Sequence, residues 1–352
     1  MTQALNHYRL LGPSGLRVSP LCLGTMTFGP EWGWGSDERT SRKVFDLYAD
    51  RGGNFLDTAN FYTEGTSESY LGKFLKGQRE KFVVSTKYTL CMNFKDPNAG
   101  GNHRKNMIQS AEASLKRLQT DYIDVFWIHM WEGRTPIEEI MRAFDDLVKQ
   151  GKVLYPAVSD MPAWKMAEAN TLAEARGWSP FIATQVHYNL IERTVEHEVV
   201  PMVQDFGLGF LPWSPLAGGV LTGKYSREDL KYQPQEGERS RKSFALATGQ
   251  LSERSMTIVD NLKAVASECQ KSCAQVALRW LLQKPFVTSV IIGAKNEEQL
   301  ESNLDCLNFE LNPAQMQLLD KASAIEPIFP GGFLENPMMQ FAMQGECQIE
   351  KR

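Results

Sequence analysis

Short apolar runs alternate with longer amphipathic stretches along this chain. The runs fall at 21–28, 54–59, 82–88, 124–129, 154–159, 182–188, 207–213 and 287–293. Their length and their β-branched and aromatic content predict buried strands, with a helix after each. The clearest helix follows Arg134. Thr135 is expected to cap it, Pro136 to take the first helical position and Glu138 to complete a capping box. Ile137, Ile140, Met141, Phe144, Leu147 and Val148 then share one face, and Gly151 ends the helix. The segment 104–118 repeats the pattern with Met107, Ile108, Ala111, Leu115 and Leu118. Eight strand–helix alternations predict an α/β fold, a closed (β/α)8 TIM barrel, as one domain over 1–352 with its core at about 18–324. The stretch 9–19 predicts a hairpin with a Gly-Pro turn that closes the barrel bottom. Two segments fall outside the pattern. The polar stretch 224–250 is too long for an ordinary loop and is expected to act as a lid or mobile segment. The apolar tail 325–352 is expected to pack on the barrel.

Composition narrows the function classes. The chain has 352 residues, 42% of them hydrophobic, and a formal net charge of −4. It carries no basic footprint for nucleic acid. No apolar run is long enough for a membrane span and the start lacks a signal-peptide core, so the expected location is the cytoplasm. The six cysteines are scattered. Cys269 and Cys273 stand at helical spacing but have no sequence-near histidine, so the expectation is reduced thiols and no metal.

The chemistry gathers at strand ends. Asp57, Tyr62, Lys87 and His129 stand at or just beyond the carboxyl ends of the second, third and fourth strands. In a parallel barrel those ends converge on one face. A carboxylate, a phenol, an amine and an imidazole collected there make a proton-transfer site. Each alone has a plainer reading: Tyr62 as a rim aromatic, Lys87 as a surface cation, His129 as a core histidine, Asp57 as a turn cap. One motif misleads. Gly218, Gly223 and Lys224 satisfy the G-x-x-x-x-G-K spacing of a phosphate loop, but Tyr225 occupies the position that needs a hydroxyl for magnesium. The same glycines and lysine remain suited to a pyrophosphate. No G-x-G-x-x-G opens a helix.

The blocks GGNFLDTANFYTEGTSESYLGKFL (52–75), STKY (85–88), RLQTDYIDVFWIH (117–129), QVHYNLIER (185–193), PWSPLAGGVLTGKY (212–225) and IIGAKNEEQLESNL (291–304) resemble, in order, the aldo-keto reductase family. The resemblance runs from Leu23 to about Asn308. It implies an NADP(H)-binding barrel that interconverts a carbonyl compound and its alcohol by hydride transfer, with Asp57, Tyr62, Lys87 and His129 as catalytic residues. Tyr62 would donate the proton, Lys87 would lower its pKa, Asp57 would hold Lys87 charged, and neutral His129 would orient the substrate oxygen.

For the cofactor, the resemblance implies contacts from Gly24, Thr25, Met26 and Asp57. Ser159, Asp160 and Gln185 would hold the nicotinamide carboxamide, and Trp213 would stack on its ring. Ser214, Leu216, Gly218 and Lys224 would line the pyrophosphate. Gly293, Ala294, Lys295, Gln299 and Asn303 would surround the adenosine end, with Lys295 on the 2′-phosphate. Asp160 stands where most relatives have asparagine, and an ionised aspartate only accepts hydrogen bonds. Gln299 stands where relatives often have arginine, which relaxes the expected NADP(H) preference. Expected substrate contacts are Trp32, Tyr62, Tyr88, His129 and Met130, in a wall that also takes in Phe28, Trp34, Met92 and Trp131. So many aromatic and sulfur side chains suit an apolar or aromatic carbonyl compound. Length, the SDMPAW block (159–164) and the tail place the chain nearer the bacterial or fungal aryl-alcohol-type or sugar-type reductases. Two alternatives stay open: a barrel lyase with Lys87 as Schiff-base amine, and a low-turnover cofactor-binding regulator. The oligomeric state is open too.

Overall fold

The computed structural model describes residues 4–234 and 240–347. Eight strands form one sheet: β1 (Leu21–Gly24), β2 (Phe55–Asp57), β3 (Val83–Tyr88), β4 (Ile123–Ile128), β5 (Val153–Ser159), β6 (Ala183–His187), β7 (Gly209–Trp213) and β8 (Val290–Ile292). From β1 to β7 each pairs in parallel with the next, and β8 pairs in parallel with β1. Just ahead of β8, the Thr288 N–H donates to Phe210 O of β7 at 2.9 Å and its hydroxyl accepts from the Phe210 N–H at 3.1 Å, closing the ring. The helices between the strands are α1 (Glu38–Asp50), α2 (Thr66–Phe74), α3 (Arg104–Leu118), α4 (Ile137–Lys149), α5 (Ala163–Arg176) and α6 (Val199–Phe206). Then α7 (Arg241–Ala247), α8 (Glu253–Cys269) and α9 (Cys273–Leu282) precede β8. The helices α10 (Glu297–Leu304) and α11 (Pro313–Ala322) follow it.

Side-chain alternation along the strands sorts the molecule into two cores. The outward residues and the helix faces form the large one. The inward residues form a smaller one from Cys22, Phe55, Val83, Val125, Trp127, Ala157, Ala183, Leu211 and Ile291. Followed two residues at a time, several of the inward series turn polar toward the carboxyl end. Phe55 leads to Asp57, Val83 to Ser85 and Lys87, Ala157 to Ser159, and Ala183 to Gln185. The barrel is therefore apolar below and chemical above, as closed parallel barrels require.

The predicted hairpin is present. Arg9–Leu10 pairs antiparallel with Arg17–Val18, and fully buried Leu11 and Val18 join the inner core. The hairpin lies so tightly under β6 and β7 that a Cβ on Gly12 would sit 2.0 Å from Ile182 O.

Two expectations need correction. The helix after Arg134 starts at Ile137 with Pro136 as its cap residue, not at Pro136 under Thr135. Thr135 instead gives its hydroxyl and N–H to the Glu132 carboxylate, which also takes the Arg134 N–H. The tail's expected burial on the barrel is not seen among the described residues, none of which is buried from 325 to 347. Its described part, up to residue 347, forms α12 (Gly331–Leu334) and α13 (Pro337–Gln344), neither with a buried residue. Phe329, Phe333, Met338 and Phe341 are exposed. Apolar composition predicted burial, but it does not specify a groove to receive the segment. In the stretch 224–250, residues 227–231 form a 3-10 turn and 241–247 form α7. Residues 235–239 lie outside the described residues. No helix among the described residues is long and apolar enough to cross a membrane.

Gly12 also has φ +57°, so Gly12→Ala combines a clash with backbone strain. We expect it to lower unfolding stability by about 2 kcal/mol or more, read as the shift of the urea midpoint. An unshifted midpoint would mean that the hairpin does not close the barrel.

Candidate active site

The site is organised around a buried cation. Lys87 is fully buried, and its three ammonium protons have three acceptors: Asp57 Oδ2 at 2.5 Å, Thr58 O at 2.8 Å and Tyr62 Oη at 3.3 Å. The other oxygen of Asp57 accepts from the Ser85 hydroxyl at 2.7 Å and from Gln185 Nε2 at 3.1 Å. That last bond spans the barrel interior from β2 to β6. Burial pulls the Lys87 ammonium down, but Asp57 and Tyr62 outweigh it and hold Lys87 above the ordinary lysine value. It stays charged at any physiological pH.

Tyr62 opens a 3-10 turn, Tyr62–Gly65, directly after β2. Thr63 and Glu64 in that turn have left-handed backbone, with φ 48° and 59°. The Thr63 hydroxyl holds it in place by donating to Phe28 O at 2.7 Å and accepting the Ser67 N–H at 3.1 Å. Beneath it, buried Glu68 takes Thr86 Oγ1 at 2.5 Å and Arg117 at 2.6 Å, so α2 is fastened to β3 and α3. The expectation that Lys87 lowers the Tyr62 pKa holds for that pair alone. Burial outweighs it, and the phenol lies above its ordinary value and keeps its proton. The His129 ring meets Tyr62 edge-on at 5.7 Å. Burial, helped by Lys87, pushes its pKa down to about 3, so it is neutral.

The expected cofactor residues divide by what their polar atoms already do. Thr25 is fully buried and uses its N–H and hydroxyl on Asp57 O, at 2.8 and 3.1 Å. It braces the site, and Gly24 is buried beside it in register with Asp57. Met26 reaches solvent. Gln185 spends its amide N–H on Asp57, which leaves its oxygen as an acceptor. Asp160, at φ 47°, accepts from Trp213 Nε1 at 3.1 Å. Burial of its carboxyl raises it to about 6 against hydrogen bonds from Trp213 and Ser159. At neutral pH the larger part of it is still carboxylate, which only accepts, so the difference from asparagine at this position remains.

Beyond Trp213 the chain turns through left-handed backbone at Ser214, Ala217, Gly218, Gly219 and Gly223, a shape that favours anion-binding concavities. Lys224 and Lys295 come together here. The sequence reading missed a third cation, Arg241, on α7. Burial, then Arg241 and Lys224, lower the Lys295 pKa. Among the described residues none of the three has a carboxylate partner. The Arg241 guanidinium lies 5.3 Å from the Trp34 ring centre. Arg241 carried no local signal beyond being a basic residue in a polar segment. Gln299 and Asn303 brace this end, Gln299 Oε1 taking the Lys295 N–H at 3.0 Å and Asn303 Nδ2 donating to Gly293 O at 3.3 Å. Ala294 and Lys295 also accept, through their carbonyls, from Thr27 and Ser36.

The substrate wall needs two corrections. Tyr88 is fully buried, stacks on Phe126 at 5.3 Å and donates its hydroxyl to Asn102 O. Alternation explains it, since Lys87 points inward and its neighbour must point out. Phe28 is likewise fully buried, against Phe74. Trp32 does reach the site, edge-on to Tyr62 at 6.3 Å and 5.5 Å from Trp34. Met92 and Met130 are exposed, and Trp131 packs edge-on against Trp164 at 5.8 Å.

Comparison with known proteins finds relatives over most of the chain. The sequence model described as "Aldo/keto reductase family" matches residues 20–324. Norsolorinic acid reductase A of Aspergillus parasiticus is 35% identical over 351 residues, covering 96% of this chain and 86% of its own length. An aryl-alcohol dehydrogenase [NADP(+)] of Phanerodontia chrysosporium is 37% identical over 343 residues, covering 93% and 88%. The oxidoreductase YrpG of Bacillus subtilis is 37% identical over 342 residues, covering 94% and 98%.

Removing one partner of a buried ion pair leaves the other charge uncompensated. Asp57→Asn is therefore expected to destabilise the fold by about 3 kcal/mol, measured by chemical denaturation. Wild-type stability in this variant would show that Lys87 does not depend on Asp57.

Proposed function

This chain belongs to the aldo/keto reductase family, and from that premise we propose that it interconverts an apolar or aromatic aldehyde or ketone with its alcohol. By membership it is an oxidoreductase that uses a nicotinamide cofactor. The finer reading is NADP(H) as cofactor and Tyr62 as the group that moves the proton. One observation carries it: a single buried ammonium joins the Asp57 carboxylate to the Tyr62 hydroxyl at the carboxyl end of the barrel.

When bound, a nicotinamide cofactor would supply the hydride for the carbonyl carbon. The protein then has to manage the alkoxide. Tyr62 keeps its proton until the substrate oxygen demands it, because burial raises its pKa. The phenolate left behind faces Lys87, and at an effective dielectric of about 20 an ion pair about 4 Å apart gains on the order of 4 kcal/mol. Asp57 keeps that ammonium charged and in place. Neutral His129 contributes a hydrogen bond that orients the substrate oxygen, with no competing charge. In the oxidative direction Tyr62 is the base.

The residues present suit NADP(H). Lys224, Arg241 and Lys295 form a cationic group without carboxylate partners among the described residues, which matches a pyrophosphate and a 2′-phosphate. Arg241 supplies the second cation that Gln299 does not. Trp213 lies beside Asp160 and Ser159, where a nicotinamide carboxamide would be held. The aryl-alcohol dehydrogenase among the relatives, named for an aromatic alcohol, supports the substrate class, as does Trp32 beside Tyr62. The lyase alternative is disfavoured, because a Schiff base needs a free amine and Lys87 has all three protons engaged.

Oxidation of NADPH in the presence of a panel of aldehydes tests the reading. Aromatic aldehydes should be turned over best; a marked preference for small polar ones would overturn the substrate class. Tyr62→Phe should lower kcat by about 10²–10⁴-fold while NADPH still quenches tryptophan emission, and an unaffected kcat would remove Tyr62 from the chemistry. Arg241→Ala should weaken NADPH about tenfold or more. A smaller loss for NADH would assign the contact to the 2′-phosphate, an equal loss to the pyrophosphate, and no loss would exclude Arg241 from the site.

A further inference from the structure

Trp213 is held on two sides by residues of this chain. Its indole N–H is fixed at the edge by Asp160 at 3.1 Å. One face is covered by the His187 imidazole, stacked with ring centres 4.4 Å apart and planes 12° from parallel. The stack follows from strand register. His187 and Trp213 are paired residues on β6 and β7, and both continue an inward series, Ala183–Gln185–His187 and Leu211–Trp213.

The protonation state of His187 can be read from its neighbour. Asn189 Oδ1 accepts the N–H groups of Ile191 at 2.8 Å and Glu192 at 3.0 Å. Its amide nitrogen therefore faces Ser214 O at 3.0 Å and His187 Nε2 at 3.2 Å. As that nitrogen only donates, Nε2 must accept, and the ring proton sits on Nδ1. Burial also favours the neutral ring, against a smaller opposing effect of Glu192. A neutral imidazole stacks on indole without placing a cation near an oxidised nicotinamide, which is itself positive. Through Asn189 the same unit touches Ser214, where the left-handed backbone of the phosphate cradle begins.

We infer that His187 is a positioning residue for the cofactor: it backs one face of Trp213, so that the indole offers only its opposite face, at a fixed tilt, to the nicotinamide ring. The inference rests on the reading of Trp213 given above. It asks for an aromatic ring at position 187, not merely a hydrogen-bond acceptor.

Three substitutions separate these requirements. His187→Phe keeps the ring and loses the acceptor, His187→Gln keeps an acceptor without a ring, and His187→Ala removes both. Each is titrated with NADPH while tryptophan emission is recorded, beside wild type and Trp213→Phe, with melting curves to confirm folding. We expect the Ala and Gln variants to bind NADPH about threefold to tenfold more weakly, with blunted quenching. The Phe variant should stay within about twofold of wild type. Kinetically, the KM for NADPH should rise in the Ala and Gln variants while that for the aldehyde holds. Wild-type affinity in His187→Ala or His187→Gln would overturn the inference, as would equal weakening in Phe and Ala. If wild type and Trp213→Phe quench alike, the placement of the nicotinamide on Trp213 fails first, and the role of His187 fails with it.

Discussion

An ammonium sealed inside a barrel is the constraint that the rest of this structure answers. Moving Lys87 and Asp57 out of water costs several kcal/mol per ion. The fold offsets that with acceptors for every Lys87 proton and donors for both Asp57 oxygens. Those donors and acceptors come from β2, β3, β6 and the turn after β2, so the ion pair ties together strands far apart in sequence. Hydrophobic residues of similar size would stabilise such a core as well or better. What they could not provide is a fixed positive charge 3.3 Å from a phenol. The apolar lower half, with Trp127 and Phe55 above the hairpin plug of Leu11 and Val18, gives the rigid base on which that charge is held.

The same alternation made much of this legible in the sequence and caused the main errors. Eight apolar runs gave eight strands, and the helix predicted over 104–118 is the one observed, because both rest on strong local periodicity. The four catalytic candidates were legible because polar groups at the ends of otherwise apolar strands have few structural uses. Applied one residue further, that logic would have turned Tyr88 outward from Lys87 and into the core beside Phe126. It would also have continued Ala183–Gln185 to His187. Thr135 was misjudged for another reason: Glu132, three residues earlier, competes for the hydroxyl and backbone groups that a cap would use. The tail shows the limit of composition, which says that a segment is apolar but not what it meets.

Arg241 belongs to what only three dimensions supply. It lies in a polar stretch without periodicity and is 54 residues from Lys295 in sequence, yet the barrel brings both to one cradle with Lys224. Three cations without a carboxylate among the described residues repel one another, and Arg241 and Lys224 both add to the lowering of the Lys295 pKa. An anion relieves that repulsion, so the cradle favours a multiply charged ligand over a singly charged one on electrostatic grounds alone.

The cradle is also joined to Tyr62 by a row of aromatic rings. Arg241 rests on Trp34, Trp34 lies 5.5 Å from Trp32, and Trp32 meets Tyr62 edge-on. Aromatic rings in contact cannot move independently, since packed side chains have few alternative arrangements. Trp34 and Trp32 stand between the Arg241 guanidinium and the Tyr62 ring. The two halves of the cleft, charged at β7 and β8 and aromatic at β1, thus share one set of contacts. That sharing gives the long segment after β7 a physical reason to carry an arginine toward the loop after β1.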